Sequence, residues 1–305
     1  MAAAKRDNRV LGIAISKPDK ELWPKSKLGA AVTKLELARY MAKVASRMLP
    51  HVAHRPISIV RAPDGIRGER FFQRHALQGT AVPMLSIKTK GEDQPYFGID
   101  SAKALVALAQ QGVLEIHPWG SRRNDPETPE RIIFDLDPSP SLPFARVVEA
   151  AKTLKKMLET LGFTPFVKTT GGKGLHVVIA VKGSGSDPLG WAEAKAFAKA
   201  VAQRMEDDAP HDFTSTLSKS ARRGKIFVDY LRNDKTSTGV APWSPRAREG
   251  ATIAVPLTWS ALTTRLDPHR FTIHTVAPLL RKPDPWKGLA SSARPIAAAM
   301  KKLEK

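Results

Sequence analysis

RIIFDLDPSP, residues 131–140, is an apolar run that carries two aspartates and then breaks on proline. Its first eight residues predict a β-strand. Because successive side chains of a strand point to opposite faces, we expect Phe134 and Leu136 to face packed helices. Asp135 and Asp137 should then share the opposite, open face of a sheet.

The segments that follow this strand predict a ferredoxin-like arrangement. An amphipathic helix is predicted at residues 143–162, and PFVKTTGGKGLHVVIAV, residues 165–181, predicts two strands around a glycine-rich turn. A second helix is predicted at residues 188–207, and GKIFVDYL, residues 224–231, predicts the last strand. The order β-α-β-β-α-β is that of ferredoxin-like and RRM-like folds, whose strands lie in the order 4-1-3-2.

This strand order brings residues that are distant in the sequence into one patch. The first strand lies beside both the third and the fourth, and it carries Asp135 and Asp137. The fourth strand carries Asp229 and the third carries His176. Three carboxylates and one histidine are therefore expected to converge on the open face of the sheet.

A cluster of three aspartates predicts a metal site. Neighbouring carboxylates repel one another and raise one another's pKa unless a cation lies between them. Mg²⁺ and Mn²⁺ prefer oxygen ligands, and two such ions about 3.5–4 Å apart suit a phosphoryl transfer. In the alternative, Asp135 caps the next segment and Asp137 forms a turn before Pro138. The addition of Asp229 favours the metal hypothesis.

Glycine-rich and basic segments predict contacts with phosphate groups. In TTGGKGLH, residues 169–176, the glycines allow backbone N–H groups to approach phosphates, and Lys173 and His176 add donors. Read alone, this segment is equally a hairpin with a solvated lysine and a core histidine. Arg222 and Arg246 are candidates for further phosphate contacts, with solvated basic loops as the alternative. His117 is either a functional histidine or one whose ring is satisfied by the backbone.

The composition favours a nucleic-acid partner. The 305 residues include 49 Lys and Arg against 29 Asp and Glu, a formal net charge of +20 that suggests a polyanion. The alternative is a generically basic protein. The absence of cysteine excludes disulfides, thiolate zinc sites and cysteine nucleophiles. Because no apolar stretch approaches the roughly 20 residues of a membrane span and MAAAKRDNRV lacks a signal-peptide core, we expect a soluble, cytoplasmic bacterial protein.

Several motifs, in this order and spacing, resemble the primase-polymerase domain of bacterial ligase D, within the archaeo-eukaryotic primase superfamily. They are IIFDLDP, TTGGKGLH and GKIFVDY, with KPDKELWP, TKLELARYM, FFQRHAL and GIDSAKALVALAQQGVLEIHPW before them and APWSPRAR after them. The resemblance covers nearly the whole chain and implies an α+β, two-lobed, primase-like fold in a single domain, residues 1–305. Its implied parts are an N-terminal lobe for DNA and 5′-phosphate binding (1–125), an RRM-like βαββαβ catalytic module (126–260) and a C-terminal extension (261–305).

The resemblance also implies an activity and its partners. It implies a DNA-directed nucleotidyltransferase that adds NTPs or dNTPs, often ribonucleotides, to 3′ ends and fills gaps and ends during bacterial non-homologous end joining. It implies two-metal catalysis with Mn²⁺ preferred to Mg²⁺. The implied partners are DNA with a 3′ end, a gap or a 5′-phosphorylated downstream strand, the end-binding protein Ku, and ligase and nuclease domains, in the bacterial cytoplasm and nucleoid.

The resemblance assigns roles to the residues of the predicted catalytic patch. The family's metal-binding acids match Asp135, Asp137 and Asp229, and a histidine needed for activity matches His117. Thr170 lies where the family has a serine or threonine near the sugar of the incoming nucleotide, although this turn reads TTGG where some relatives carry serine. The residues that match the surroundings of the nucleotide phosphates are Lys173, His176, Arg222 and Arg246.

The resemblance assigns DNA contacts to the N-terminal part. Lys20 and Lys34 match lysines of a pocket for the 5′-phosphate of the downstream strand. Phe71 and Phe72 match an aromatic pair at the template, where an exposed ring offers a stacking platform of about 1–3 kcal/mol per base. We expect one of the two rings to be buried instead. RAPDGIRG superficially resembles the K-x-D-G motif of nucleotidyl-transferring ligases, but Ala62 stands where the reactive lysine is required, so no ligase chemistry is expected of this chain.

Two other hypotheses use the same residues. IIFDLDP also resembles the strand-end motif of haloacid-dehalogenase-like phosphatases, in which Asp135 would become an aspartyl-phosphate. That hypothesis requires a parallel, doubly wound sheet, and it fits poorly with Pro138 in place of glycine. A non-catalytic RRM-like nucleic-acid binder is the other alternative, and it leaves the three acids unexplained because they would repel phosphates.

Overall fold

The computed structural model describes residues 7–75, 84–89, 92–185 and 187–303 of the chain. The N-terminal part is a set of short strands with two helices. Its elements are β1 (Arg9–Val10), β2 (Ile13–Ala14), β3 (Glu21–Trp23), β4 (Val32–Thr33), α1 (Lys34–Val52), β5 (Ile57–Arg61), β6 (Phe71–Gln73), β7 (Met84–Thr89), β8 (Glu92–Phe97), α2 (Ala102–Gln110) and β9 (Val113–Pro118). Strand β5 pairs antiparallel with β6, β8 and β9, and β8 pairs with β7.

Apolar residues at helical spacing after Thr33 predict a helix there, and α1 begins at that point but extends past Pro50. Thr33 and Glu36 form a capping box, in which Thr33 Oγ1 accepts from the Glu36 N–H at 3.3 Å and Glu36 Oε2 accepts from the Thr33 N–H at 2.7 Å. The sequence suggests that the helix stops before Pro50, but the proline lies inside the last turn. The helix continues because the Ala53 N–H still bonds to the Leu49 carbonyl at 2.8 Å.

The remainder of the described chain builds a second sheet with helices on one face. Its elements are β10 (Arg131–Pro138), α3 (Phe144–Thr160), β11 (Phe166–Thr169), β12 (Leu175–Lys182), α4 (Trp191–Asp208), β13 (Phe213–Thr214), β14 (Ile226–Asp229), β15 (Pro256–Leu257), β16 (Arg294–Pro295) and α5 (Ala297–Leu303). The order of the main strands is β14-β10-β12-β11, which confirms the predicted order 4-1-3-2 and the α+β fold class. Strands β13, β15 and β16 extend this sheet and were not predicted, since two residues carry no periodic signal.

The two faces of β10 carry apolar and acidic side chains respectively, as the sequence predicts. Ile132, Phe134 and Leu136 are fully buried on the face that α3 and α4 cover. Strand β10 runs antiparallel to both of its neighbours, β12 and β14. A haloacid-dehalogenase-like phosphatase requires parallel strands around its nucleophile, so this sheet excludes that alternative.

The C-terminal segment packs back onto the sheet. Strand β16 pairs parallel with β12, and the Trp286 indole N–H donates to the Val167 carbonyl at 3.0 Å. Helix α5 then covers Ala297–Leu303. Among the helices that the structure describes, none combines the length and the apolarity that a bilayer span requires.

Candidate active site

The strand register gathers the predicted acids at one end of the second sheet. Asp135 lies opposite His176 on β12 and opposite Asp229 on β14, so it has one of these residues on each side. Asp137 follows two residues later and points to the same face. Only 14% of the Asp135 and Asp229 side chains is exposed, against 54% of Asp137. The patch is therefore open to solvent at Asp137 and mostly buried at Asp135.

Two arginines neutralise these carboxylates. The guanidinium of Arg232 bridges two of them, with Nη2 at 3.3 Å from Asp135 Oδ2 and Nε at 3.4 Å from Asp229 Oδ2. Arg222 contacts Asp137 through Nη2, and its guanidinium lies 4.5 Å from the centroid of the Phe227 ring. The sequence singled out Arg222 but not Arg232, which follows Asp229 by three residues in a loop without any motif. Arg222 pairs with an acid here rather than lining the neighbouring cavity.

The pKa shifts of Asp135 and Asp229 reflect the close approach of the carboxylates. Burial raises the pKa of Asp229, and the charges of Asp135 and Asp137 raise it further against the opposing effect of Arg232. The pKa of Asp135 lies well below its usual range because the effects of His176 and Arg232 outweigh that of burial. Asp135 thus ionises more readily than a free aspartate, and Asp229 less readily. A cation among them would relieve this repulsion.

The three aspartates are ligands of the type that a divalent cation prefers, although their side chains do not surround a common coordination site. Within the described ranges, no group of three or more His, Asp or Glu side chains lies close enough together to hold a metal ion. Carboxylate oxygens are the ligands that Mg²⁺ and Mn²⁺ prefer, and neighbouring strands hold the backbone of all three residues. Asp135, Asp137 and Asp229 are therefore the residues that could hold a metal, once Arg222 and Arg232 release them.

A tight glycine turn joins β11 to β12 beside the acids. Gly171 has φ of +71°, in the left-handed region, and a Cβ at Gly174 would lie 2.7 Å from the Leu136 carbonyl oxygen. The Thr170 hydroxyl accepts from the Gly172 N–H at 3.3 Å and donates to the Gly174 carbonyl at 3.1 Å. It therefore braces the turn, while the Lys173 side chain extends into solvent from the turn's tip.

Two adjoining cavities surround this turn. The first has a volume of about 350 Å³. The predicted site residues that line it are His117, Asp135, Asp137, Thr170, Lys173, His176 and Arg246. The second, of about 620 Å³, shares Gly172, Lys173, Arg246 and Arg248 with the first. A cleft with carboxylates at one end and cations along its length matches a ligand that carries both a metal and several phosphates.

Glu115 is a buried carboxylate that contacts two of the predicted site residues, and the sequence did not single it out. Its side chain accepts from the Ala247 N–H at 2.8 Å, and it lies 2.8 Å from His117 Nε2 and 3.0 Å from Arg246 Nε. Burial raises its pKa, but the hydrogen bond from His117 and the charge of Arg246 lower it more, to about 2. One ionised carboxylate thus orients two predicted functional side chains. In the sequence of β9, Glu115 is only a single acid within an apolar run.

His176 lies beneath the acids in a dry environment. It is 3% exposed, and its Nε2 lies 3.4 Å from Asp135 Oδ2. Burial and then the charge of Lys168, a fully buried neighbour across the strand pair, lower the pKa of His176 to about 4. His176 is therefore neutral at physiological pH. Its contact is with an acid, so a role at the nucleotide phosphates stays a prediction.

The two lysines predicted to bind the 5′-phosphate line neither compartment of the cleft. Lys20 forms an ion pair with Asp64, and Lys34 Nζ donates to Ser16 Oγ at 3.2 Å. Burial and the charges of Lys20 and Lys17 lower the pKa of Lys34, so these lysines form one basic cluster.

The two phenylalanines differ in their surroundings. Phe72 is 55% exposed and lies edge-on to the His117 ring at 6.2 Å, whereas the half-buried Phe71 lies beneath the Arg61 guanidinium. Phe72 is thus the ring that is free to stack, and it borders the candidate active site.

Comparison with known proteins places the chain in a family. The family model described as LigD, primase-polymerase domain, matches residues 33–286. The multifunctional non-homologous end joining protein LigD of Pseudomonas aeruginosa is 36% identical over 296 residues, which cover 95% of this chain and 34% of the relative. The corresponding DNA repair protein LigD of Mycobacterium tuberculosis H37Rv is 36% identical over 261 residues, or 82% of this chain and 33% of the relative. The chain thus spans about a third of the length of the curated relatives it matches.

A solved structure resembles the fold over nearly its whole length. The polymerase domain from Mycobacterium tuberculosis ligase D in complex with DNA has a TM-score of 0.81 and 31% sequence identity, and the match covers 92% of this chain and 99% of that chain. Family model, sequence relatives and fold agree on the same domain. The chain therefore belongs to the family of LigD primase-polymerase domains and is a nucleotidyltransferase of the primase type.

Proposed function

We propose that the chain is a DNA-directed polymerase that adds NTPs or dNTPs to 3′ ends and fills gaps and ends in bacterial non-homologous end joining. The observation that carries this proposal is the register of β10, which puts Asp135 opposite Asp229, with Asp137 on the same face, beside a cavity lined by Lys173 and Arg246. The relatives are end-joining proteins and the similar solved domain is bound to DNA, which supports a DNA substrate.

The three aspartates would hold the divalent cations of this reaction, two ions with Mn²⁺ preferred to Mg²⁺. Such ions neutralise the charge that develops on a transferred phosphoryl group and activate the attacking hydroxyl. The protein's part is to hold the carboxylates on adjacent strands. Arg222 and Arg232 pair with those carboxylates, so a bound metal ion would have to displace them.

The remaining side chains would bind and orient the nucleotide. Lys173 and Arg246 line both compartments of the cleft and would contact the triphosphate. Arg246 is held by Glu115, so its position is set before a nucleotide binds, and preorganised charge is the main source of electrostatic catalysis. Thr170 lies at the turn where the sugar would pass. His117 shares the Glu115 carboxylate and would act beside the reacting groups.

The surface outside the cleft would bind the two ends of a gap. Phe72 would stack on the template strand next to the site. The cluster of Lys20 and Lys34 would take the 5′-phosphate of the downstream strand. Within the cell we propose that the chain acts at DNA ends in the nucleoid with Ku and with ligase and nuclease domains; the relatives' names, which print non-homologous end joining, support the end-joining setting.

Primer extension tests this proposal. Purified protein is incubated with a primed template, nucleotides and Mn²⁺, and Asp137→Asn is compared with the wild type. We expect extension to be lost in the variant while DNA binding, measured by fluorescence anisotropy, persists. Asp208→Asn is the matched control, because Asp208 is also an exposed aspartate paired with an arginine, at 3.0 Å from Arg204 on α4. Wild-type extension by Asp137→Asn would overturn the metal assignment.

The same assay discriminates a polymerase from a binder without catalytic activity. A wild-type protein that binds the primed template but adds no nucleotide with either Mn²⁺ or Mg²⁺ would refute the polymerase proposal. Paired reactions with NTPs and dNTPs measure the sugar preference.

A further inference from the structure

A second large cavity lies at the far end of the β10 strand from the candidate active site. Its volume is about 720 Å³, and its walls are the end of α1, the loop before β10, the end of β12 and the C-terminal segment 284–293. It shares no lining residue with either compartment of the catalytic cleft. The cavity is therefore a separate feature of the fold, which the proposed polymerase function does not use.

Arg131 is a buried cation in this cavity. It begins β10 and lies on the same strand face as Asp135, four residues and about 13 Å away. Arg131 is 7% exposed, and within the described chain its side chain makes a single hydrogen bond, from Nη2 to the His51 carbonyl at 3.3 Å. A guanidinium stays protonated in proteins, so burial without an anion is unfavourable. Glu130 attracts the Arg131 guanidinium at longer range, but it forms its ion pairs with Arg55 and Arg122, and no carboxylate of the described chain forms one with Arg131.

The carboxylates of the cavity are already engaged. Glu130 contacts Arg55 through Oε2 and Arg122 through Oε1, the latter at 2.7 Å, and Asp284 lies 3.7 Å from Arg47. The lining cations that no carboxylate of the described chain pairs with are Arg131, Lys182 and Lys287. The walls therefore carry a surplus of positive charge.

His51 adds an unsatisfied donor to the same wall. It is 5% exposed, its ring packs edge-on against Trp286 at 5.4 Å, and its Nε2 has no hydrogen-bond partner. Burial and the charges of Arg131 and Arg55 lower its pKa to about 3, so the imidazole is neutral at physiological pH. With its proton on Nε2, the ring donates to a bound anion without adding charge. A buried orphan donor beside a buried unpaired guanidinium is an arrangement that an anion completes.

We infer that this cavity is a second ligand site, which binds a phosphate-bearing small anion through Arg131 and His51. Guanidinium and phosphate form short, charge-assisted hydrogen bonds, and the planar fork of Arg131 matches two phosphate oxygens. Lys182 and Lys287 lie on the exposed rim, where they attract an anion from solvent.

The size and the walls of the cavity allow two sources of the phosphate. Free inorganic phosphate would occupy only a fraction of 720 Å³, whereas a nucleoside monophosphate is of the size that such a cavity encloses. Trp286 and Leu289, both buried, form an apolar wall against which a base or sugar can pack. The phosphate group is common to both sources, and Arg131 is its expected partner in either case.

Isothermal titration calorimetry without divalent cations tests the site, with inorganic phosphate and 5′-AMP as separate probes at constant ionic strength. The proteins are the wild type, Arg131→Met, Lys173→Ala, which removes the cation of the catalytic turn, and Lys199→Ala, which removes an exposed cation of α4. We expect Arg131→Met to weaken phosphate binding about tenfold or more, because a charged hydrogen-bond partner is lost. Lys173→Ala and Lys199→Ala should bind phosphate at this site like the wild type.

The outcomes separate the site from the catalytic cleft. Primer extension by Arg131→Met should stay at the wild-type rate, which distinguishes this site from the proposed polymerase function. Tighter, Arg131-dependent binding of 5′-AMP identifies a nucleotide as the occupant, and equal affinities identify phosphate alone. No phosphate binding by the wild type, unchanged binding by Arg131→Met, or complete loss in Lys173→Ala would each overturn the inference.

A second measurement covers the case in which Arg131→Met fails to fold. Arg122 lies on the rim with 40% of its side chain exposed, so Arg122→Ala can be titrated in its place. Hydrogen–deuterium exchange of the wild type with phosphate should show protection in residues 120–131 and 284–293, reduced in Arg122→Ala. Protection confined to the glycine turn at 169–176, or no protection anywhere, would refute the site.

Discussion

Replacing Glu115 by glutamine tests whether one buried carboxylate holds Arg246 and His117 in the cleft. The pKa of Glu115 is about 2, against an ordinary value of 4.5. This difference corresponds to roughly 3 kcal/mol in favour of the ionised form in the folded protein. Glutamine retains an amide oxygen for the Ala247 N–H but has no charge for Arg246. We therefore expect Glu115→Gln to lower the free energy of unfolding at pH 7 by about 2–3 kcal/mol.

The pH dependence of that loss is a sharper test than its size. Because the folded pKa of Glu115 lies below the unfolded value, its stabilisation is fully present above pH 4.5 and is lost as the pH falls toward 2. The difference in unfolding free energy between wild type and Glu115→Gln should shrink from roughly 3 kcal/mol at pH 7 to roughly 1.5 kcal/mol at pH 3. Urea unfolding followed by circular dichroism at both pH values measures it.

Activity and a matched control complete the test. Without its ion pair, Arg246 keeps only its hydrogen bond to the Thr170 carbonyl, and we expect kcat/KM for the nucleotide to fall by about 10- to 100-fold. Glu206→Gln is the control, since Glu206 accepts from Ser215 N–H at 2.8 Å but lines neither compartment of the cleft. A stability difference for Glu115→Gln that is equal at pH 7 and pH 3, or wild-type activity, would refute the reasoning.

Three further substitutions probe the proposed DNA surface and the glycine turn. Phe72→Ala should weaken binding of a single-stranded template overhang by about 1–3 kcal/mol in fluorescence anisotropy, and an unchanged affinity would remove the stacking role. Lys34→Ala should abolish the preference for 5′-phosphorylated over unphosphorylated gaps but keep extension on plain primers; an unchanged preference would discard the assignment. Gly174→Ala should lower the free energy of unfolding by more than about 2 kcal/mol, because its Cβ would clash with the Leu136 carbonyl. Gly29→Ala, where a Cβ has open space, should change stability by less than about 1 kcal/mol, and equal losses would contradict the steric argument.

The sheet could be predicted because its main elements carry strong local signals. Alternation in β10, the apolar stripe of α3 and the glycine turn before β12 are all readable from neighbouring residues, and the order of elements then determines which strands adjoin. The strands of the second sheet that were not predicted are the two-residue pieces β13, β15 and β16. They form because loops pass close to an existing sheet edge, which is a tertiary event without a local periodicity.

The candidate site could be predicted as a set of residue types but not as a set of contacts. Asp135 and Asp229 were expected to adjoin, and the register puts them opposite each other. That Arg232 bridges them, and that Arg222 pairs with Asp137, depends on side chains from loops whose path the sequence does not reveal. Whether these three acids hold metal stays a prediction that the extension assay decides.

Residue order and composition alone predict the α+β class, the strand order, the alternation of faces on β10 and the basic character that suggests a polyanionic partner. These depend on the identity of neighbouring residues and on net charge. Only the tertiary structure decided that Glu115 holds Arg246, that Phe72 rather than Phe71 is exposed, and that Arg131 and His51 share a cavity 720 Å³ in volume. Burial and hydrogen bonding join residues 132 positions apart, as between Glu115 and Ala247, and no local pattern encodes which distant residues meet.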